Sequence, residues 1–286
     1  MDDLYTVTPV NDHIYVISEN ITTRPIKFAQ QLVVGENTAA LIDAGFGIDR
    51  ELLNVIRKIT TKPLICLLTH GDPDHTGGAS LFESVYMNPA DDEIMKASFA
   101  PADRLRDVDV ASGHNQELVA HMKTNMPQAK SFAYQPLKND DTFDLGGTIL
   151  QAVALPGHSK GSMAFVDIAD HIAFTGDGVA TAVMCELYDT RCASLTTWEA
   201  AIRRLHILVG EQGQIYSGHR VDAFPPTVLS MIENNIAEIK AGNVDNDQPL
   251  TNMPSGAVSE TETMHARAHR SADNPFIVMY NALNID

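Results

Sequence analysis

The sequence predicts an α/β protein in which strands pack in layers with helices on the outside. Two observations carry this expectation. Apolar, β-branched runs of strand length alternate with amphipathic stretches of helical period in both halves of the chain. Four of the apolar runs end in a histidine or an aspartate, most of them beside or close to a glycine. A chain of 286 residues is long enough for one large core, and it contains no internal repeat.

The elements follow in order. "HIYVIS", from His13, reads as a strand, and "QLVVGENTAALIDAGFG" as a hairpin that turns at Gly35–Asn37 and ends its second strand at Asp43. "DRELLNVIRKIT" puts Leu52, Leu53, Ile56 and Ile59 on one helical face. "PLICLLTH" reads as a buried strand that delivers His70 at its C-terminal end. Gly77 and Gly78 then permit a tight turn into a helix expected near Ala79–Ser84. Residues 89–130 carry helical patterns without a clear strand and read as a helical insertion or lid. Strands return in "DTFDLGGTILQAVALPGH" and "SMAFVDIADHIAFTGD". "LTTWEAAIRRLHILV" is an amphipathic helix with Leu195, Trp198, Ile202 and Leu205 on one side. "QIYSGH" is a strand ending in a histidine, and "PPTVLSMIENNIAEIKAG" is a helix with proline at its start and glycine past its end. Residues 243–274 read as a polar loop and "NPFIVMYNAL" as a last strand, so residues 1–286 are taken as a single domain.

Composition narrows the function. Hydrophobic content of 44% and charged content of 20% fit a globular protein. A formal net charge of −17 argues against nucleic acid and against an anionic membrane surface, both of which are held by Lys and Arg. Cys66, Cys185 and Cys192 have no CxxC spacing, which points to reduced thiols and a cytoplasmic location. Cys66 lies inside an apolar run and is read as a core residue. The first residues lack the pattern of a signal peptide, and no window reaches the roughly 18 apolar residues of a membrane span. The partner expected is a small-molecule substrate, and homo-oligomerisation is left open.

The segment "LLTHGDPDHTGG" concentrates His70, Asp72, Asp74 and His75 after a strand. His158 in "LPGHSKGS", Asp177 in "FTGDGV" and His219 in "YSGH" end the other apolar runs. If these strands lie in packed sheets, their ends meet at one edge. Ligands on rigid strand ends with coordination positions left open are what a catalytic metal needs.

In order, spacing and strand context, over roughly residues 10 to 240, these residues resemble the metallo-β-lactamase superfamily, whose motif is H-x-H-x-D-H. "LIDAGFG" and "HTGG" match as well. The resemblance implies a four-layer αββα sandwich with one or two divalent metal ions at one sheet edge. It places His70, Asp72 and His158 on one ion and Asp74, His75 and His219 on the other, with Asp177 bridging. Zinc is the metal expected, with manganese or iron as alternatives. Asp43 resembles a family position that supports the ligands.

Asp72 departs from the family's second histidine. Three readings stay open. Asp72 is a ligand in an oxygen-rich site, or that site is weak and a single metal sits on Asp74, His75, His219 and Asp177, or Asp72 only caps the local turn. A carboxylate here is similar to the flavo-diiron proteins, which keeps an iron-dependent oxidoreductase or oxygenase as an alternative. A non-catalytic metal-binding module is the third.

The function expected is a metal-dependent hydrolase. A metal lowers the pKa of its bound water to about 7 and supplies hydroxide at neutral pH. The substrate expected is a small ester, thioester or lactone, with Asp74 and Asp177 as catalytic carboxylates. Lys160 and Tyr188 are weaker substrate-binding candidates. His265 and His269 are spaced as on one helix face and read as a basic surface patch.

Overall fold

The β-branched runs of the first third of the chain form a single sheet in the computed structural model, which describes residues 4–23, 25–185, 187, 191–250, 265–283 and 285. The sheet comprises β1 (Tyr5–Pro9), β2 (Ile14–Glu19), β3 (Phe28–Val34), β4 (Ala39–Ile42), β5 (Leu64–Leu67), β6 (Val85–Met87) and β7 (Gln135–Pro136), side by side in chain order. Pairing is antiparallel from β1 to β4 and parallel from β4 to β7. The expected hairpin is β3–β4, closed by a hydrogen bond from Gly35 N–H to the Thr38 carbonyl.

A second sheet is built from β8 (Thr142–Asp144), β9 (Ile149–Ala154), β10 (Met163–Asp167), β11 (Ile172–Phe174) and, beyond β12 (Ala182–Met184), β13 (Gln214–Tyr216). Its order is β13-β11-β10-β9-β8, with β11 and β13 parallel. The two sheets share one core, where Val16, Ile42 and Leu67 meet Leu150, Phe165 and Phe174. Burial of such side chains, at about 25 cal/mol per Å² of apolar surface, is the main force that joins the layers.

Helices cover both outer faces. On the first sheet, α1 (Glu51–Ile59) lays Leu52, Val55 and Ile56 against Ile17, Leu32 and Leu41. Val55 takes the inward position expected of Leu53, which is half-buried. Over the motif itself runs α2 (Pro73–Thr76), a single turn with proline at its start. The helix expected at 79–84 is reduced to one 3-10 turn, Ala79–Leu81. The tight turn begins earlier than the glycines imply, at Pro73.

The insertion consists of α3 (Asp92–Ser98), α4 (Pro101–Ala111) and α5 (Gln116–Asn125). It is docked on the motif. Val108, Leu118 and Met122 pack on Phe46 and Ile48. Arg104 is fully buried and donates hydrogen bonds to the Gly77 carbonyl at 2.9 Å and the Pro127 carbonyl at 2.5 Å.

On the second sheet, α6 (Leu195–Val209) and α7 (Thr227–Lys240) bury Trp198, Ile202, Leu205, Leu229 and Ile232 against Val153, Ala164 and Val166. The result is the four-layer αββα sandwich. Among the described residues no helix is long and apolar enough to cross a membrane. All three cysteines are buried and none of them is in a disulfide, Cys66 lying in the core as expected.

The C-terminal region differs from its sequence reading. Besides the expected last strand β16 (Ile277–Asn281), it contains β14 (Gln248–Pro249) and β15 (Ala266–His269), and with β12 these form a third sheet in the order β12-β16-β15-β14. His269 lies on β15, so His265 and His269 do not share one helix face. His269 is buried, with Nδ1 2.7 Å from Asp247 and Nε2 3.2 Å from Glu238. The strand pairing comes from β16 and β14, and a four-residue window cannot reveal it.

Candidate metal centre

Strand ends bring the candidate residues together. His70 follows β5, Asp74 and His75 ride on α2, and His158, Asp177 and His219 follow β9, β11 and β13. β4 runs parallel to β5, and β11 parallel to β13, so their C-terminal ends point the same way. Two glycines permit the final approach. A Cβ on Gly176, whose φ is +51°, would lie 2.2 Å from Thr69 Oγ1. A Cβ on Gly218 would lie 2.4 Å from His75 Cε1. Bare backbone at both positions lets Asp177 and His219 close on the motif.

The seven expected ligand residues form three overlapping clusters: His70 with Asp72 and His158, His70 with His75 and Asp177, and Asp74 with His75 and His219. Ligand atoms within each cluster lie within 4.8 Å of one another. The imidazoles are crowded, with centroids 4.0 Å apart for His70 and His75, 4.8 Å for His70 and His158, and 5.7 Å for His75 and His219. His70 Nε2, His75 Nε2 and Asp177 Oδ1 are buried and make no aligned hydrogen bond, although His70 Nε2 lies 3.2 Å from Asp72 and the other two lie 3.4 Å from each other. Buried polar atoms are rarely left so. Unpartnered imidazole nitrogen and carboxylate oxygen facing one another are the donor set of a zinc-like ion.

In the Asp74/Asp177 half, backbone and carboxylate supports aim the rings. Asp43 ends β4 with φ +62°, a left-handed conformation that Asp tolerates better than most residues. Its carboxylate accepts from Thr69 N–H at 2.8 Å and from Thr69 Oγ1, and it pairs with His75 Nδ1 at 2.7 Å. That turns His75 Nε2 inward. His219 Nδ1 lies 2.9 Å from the Lys27 carbonyl, so Nδ1–H donates there and Nε2 faces Asp177 Oδ2 at 3.1 Å. Burial works against charge on both rings. Even so, Asp43, Asp74 and Asp177 hold His75 well above the usual histidine range, and Asp177 is the main group lifting His219 to about 9. Burial would also raise the Asp177 carboxyl, but His219 and His75 hold it well below the carboxylate range. So much negative potential calls for a cation.

The Asp72 half is built otherwise. Asp72 Oδ2 lies 3.0 Å from His158 Nε2 and 3.2 Å from His70 Nε2. The same oxygen is ion-paired with the Arg191 guanidinium, whose Nη2 is also 2.9 Å from His158 Nε2. Burial would raise the Asp72 carboxyl; Arg191 and the two histidines hold it well below the usual range. Burial depresses His158, and the positive Arg191 adds to that. Asp72 is the residue preceding α2, but only its carbonyl caps, accepting from His75 N–H and Thr76 N–H. The reading of its side chain as a turn cap is therefore overturned, because the carboxylate is engaged by Arg191.

Other residues fall as follows. Lys160 is exposed, and its backbone N–H donates to the Arg191 carbonyl. Tyr188 lies outside the described residues. Sequence reasoning missed Arg191, Thr69 and the buried Asp91. Asp91 accepts from Gly71 N–H at 2.9 Å, Gly161 N–H at 2.7 Å and Ser159 Oγ at 2.6 Å, and so ties the motif to the His158 loop. A cleft of about 530 Å³ beside His219 is lined by Ile26, Lys27, Val221 and Arg220, among others.

An αββα sandwich with a histidine and aspartate cluster where its strands end defines a metallo-hydrolase type of scaffold. Residues 31–205 match the metallo-beta-lactamase superfamily, and the chain belongs to it. Solved structures with this fold include a metallo-beta-lactamase from Pontibacter korlensis, with a TM-score of 0.55, 20% identity, and coverage of 82% of this chain and 99% of that one. The DIM-1 metallo-beta-lactamase aligns with a TM-score of 0.57 and 15% identity, over 82% of this chain and 97% of that one. Among curated relatives, the probable polyketide biosynthesis zinc-dependent hydrolase BaeB of Bacillus velezensis is 24% identical over 202 residues, 70% of this chain and 76% of that protein. The acyl-coenzyme A thioesterase MBLAC2 of Homo sapiens is 29% identical over 197 residues, 61% of this chain and 66% of that protein. The alignment thus spans just under two thirds of the thioesterase.

Proposed function

We propose that this protein is a metal-dependent hydrolase of a small carboxylic ester, thioester or lactone, with a thioester favoured. The observation that carries the reading is the set of unpartnered buried atoms, His70 Nε2, His75 Nε2 and Asp177 Oδ1, gathered beside Asp74 and His219. The preference for a thioester is supported by the names of the relatives, one a zinc-dependent hydrolase and the other an acyl-coenzyme A thioesterase.

Asp74, His75, His219 and Asp177 would hold the metal, with His70 beside them. A bound divalent ion supplies Lewis acidity and makes water a stronger acid. Asp74 Oδ2, 3.5 Å from His219 Nε2 and 3.6 Å from His75 Nε2, orients the attacking water and accepts its proton. Asp177 fixes His75 and His219 against each other from the opposite side. Ile26 and Val221 give the cleft an apolar wall for an acyl chain, and Lys27 and Arg220 meet the anionic groups of a thiol carrier. Arg220 is held in place over the Phe224 ring, 4.1 Å from its centroid.

The test is turnover on a panel of aryl esters, acyl thioesters and lactones before and after stripping with a chelator. Hydrolysis that vanishes on stripping and returns with zinc or manganese is the expected result. Undiminished turnover by the stripped protein, or none on the whole panel, overturns the reading.

A further inference from the structure

We propose that Arg191 is a built-in cation that takes the place of one metal ion, so that the protein holds a single ion, on the Asp74, His75, His219 and Asp177 side. The inference rests on the cluster being a metal centre and is independent of the substrate.

Charge and geometry both support it. On the Asp74 side two carboxylates, Asp74 and Asp177, face two imidazoles, and a divalent ion brings that set to neutrality. On the other side one carboxylate, Asp72, faces His70 and His158, and the guanidinium of Arg191 already balances it. Arg191 Nη2 contacts two of the three ligand atoms of that cluster, Asp72 Oδ2 and His158 Nε2. An ion binding there would have to displace the guanidinium or sit against its positive charge, with Asp177, 3.9 Å from His158 Nε2 and already facing His75 and His219, as the other nearby carboxylate. A guanidinium keeps its proton at every accessible pH, so acidity does not switch the arrangement off.

Arg191 is also fixed by its backbone. Its carbonyl accepts from Lys160 N–H at 2.9 Å, and Ala193 N–H donates to the Gly157 carbonyl at 3.0 Å. Cys192 Sγ donates to the His158 carbonyl at 3.3 Å. Residues 191–193 are thus stitched along the loop that carries His158. The side chain is only 21% exposed. A surface arginine swinging in by chance would show none of this. The arginine also accounts for the aspartate: a histidine at position 72 would put a neutral or positive ring against the guanidinium, where a carboxylate gives a charge-assisted bond.

Elemental analysis after stripping, reloading with excess zinc and desalting tests the proposal, because it reads metal content without any substrate. About one zinc per chain is expected for the wild type. Asp74→Asn combined with His219→Ala should fall below about a tenth of that, with circular dichroism confirming the fold. Asp72→His combined with Arg191→Gln should rise to about two per chain. Two ions in the wild type, none in the wild type, one ion retained by the Asp74→Asn/His219→Ala protein, or no gain in the folded Asp72→His/Arg191→Gln protein each overturn it. Should one zinc be found with no turnover on the substrate panel, the hydrolase reading fails and this one stands.

Discussion

The two halves of the centre use similar residues to different ends. Around Asp74, His75, Asp177 and His219, two carboxylates face two imidazoles, and buried atoms on His75 and Asp177 are left without hydrogen-bond partners. Around Asp72 and His158 the same chemistry is closed by Arg191. Ligand identity along the chain therefore does not settle whether a pocket is open to an ion. The counter-charge does, and here it arrives from 119 residues away.

The largest effect should come from breaking the open half. His75→Ala removes a nitrogen shared by two clusters, and zinc affinity, measured by competition with a chromogenic chelator, should drop by more than about a hundredfold, beyond the usual cost of losing a supporting residue. His158→Ala should cost far less in the same assay, and an equal loss would erase the distinction between the halves.

Asp43→Ala comes next. It leaves every proposed ligand in place but frees His75 Nδ1 and Thr69. Zinc affinity should fall by about 10–100-fold, as is usual when the partner orienting a ligating histidine is lost.

Asp91→Asn sharpens the contrast from the closed side. The amide cannot accept all three of the hydrogen bonds from Gly71, Ser159 and Gly161. Stability should fall by about 1–3 kcal/mol, the usual cost of a buried polar group left unsatisfied, seen as a lower Tm with zinc content unchanged. Loss of zinc in this variant would mean that the two halves are mechanically one.

The smallest effect is one of pH. Glu19 is buried behind Gly45 and accepts from Phe46 N–H; burial lifts its carboxyl to about 8. The folded state then binds a proton that the unfolded state, near 4.5, has lost. Stability should decline as pH rises from about 4.5 to about 8 and level off above, by linkage. Glu19→Gln should flatten that decline in denaturation curves, and an unchanged slope would refute the assignment.

Much of this was legible in the sequence. His70, His158, Asp177 and His219 each end an apolar run, and a strand's length and burial are local properties that a short window displays. Asp72, just before α2, and Asp74 and His75 within it all sit within five residues of His70. Where reading failed, the cause was long-range. His265 and His269 have helical spacing, yet β15 is a strand because β16 and β14 pair with it. Arg191 sits in an irregular stretch with no periodicity, and a single arginine there carries no signal.

The sequence by itself determined the layered α/β architecture, the family and the seven residues that gather where the strands end, because hydrophobic period and strand-end placement are written along one dimension. Only the tertiary structure placed a charged partner against Asp72. A carboxylate's role is set by the charge nearest to it, and that charge is on Arg191, brought alongside by backbone hydrogen bonds between residues 157–160 and 191–193.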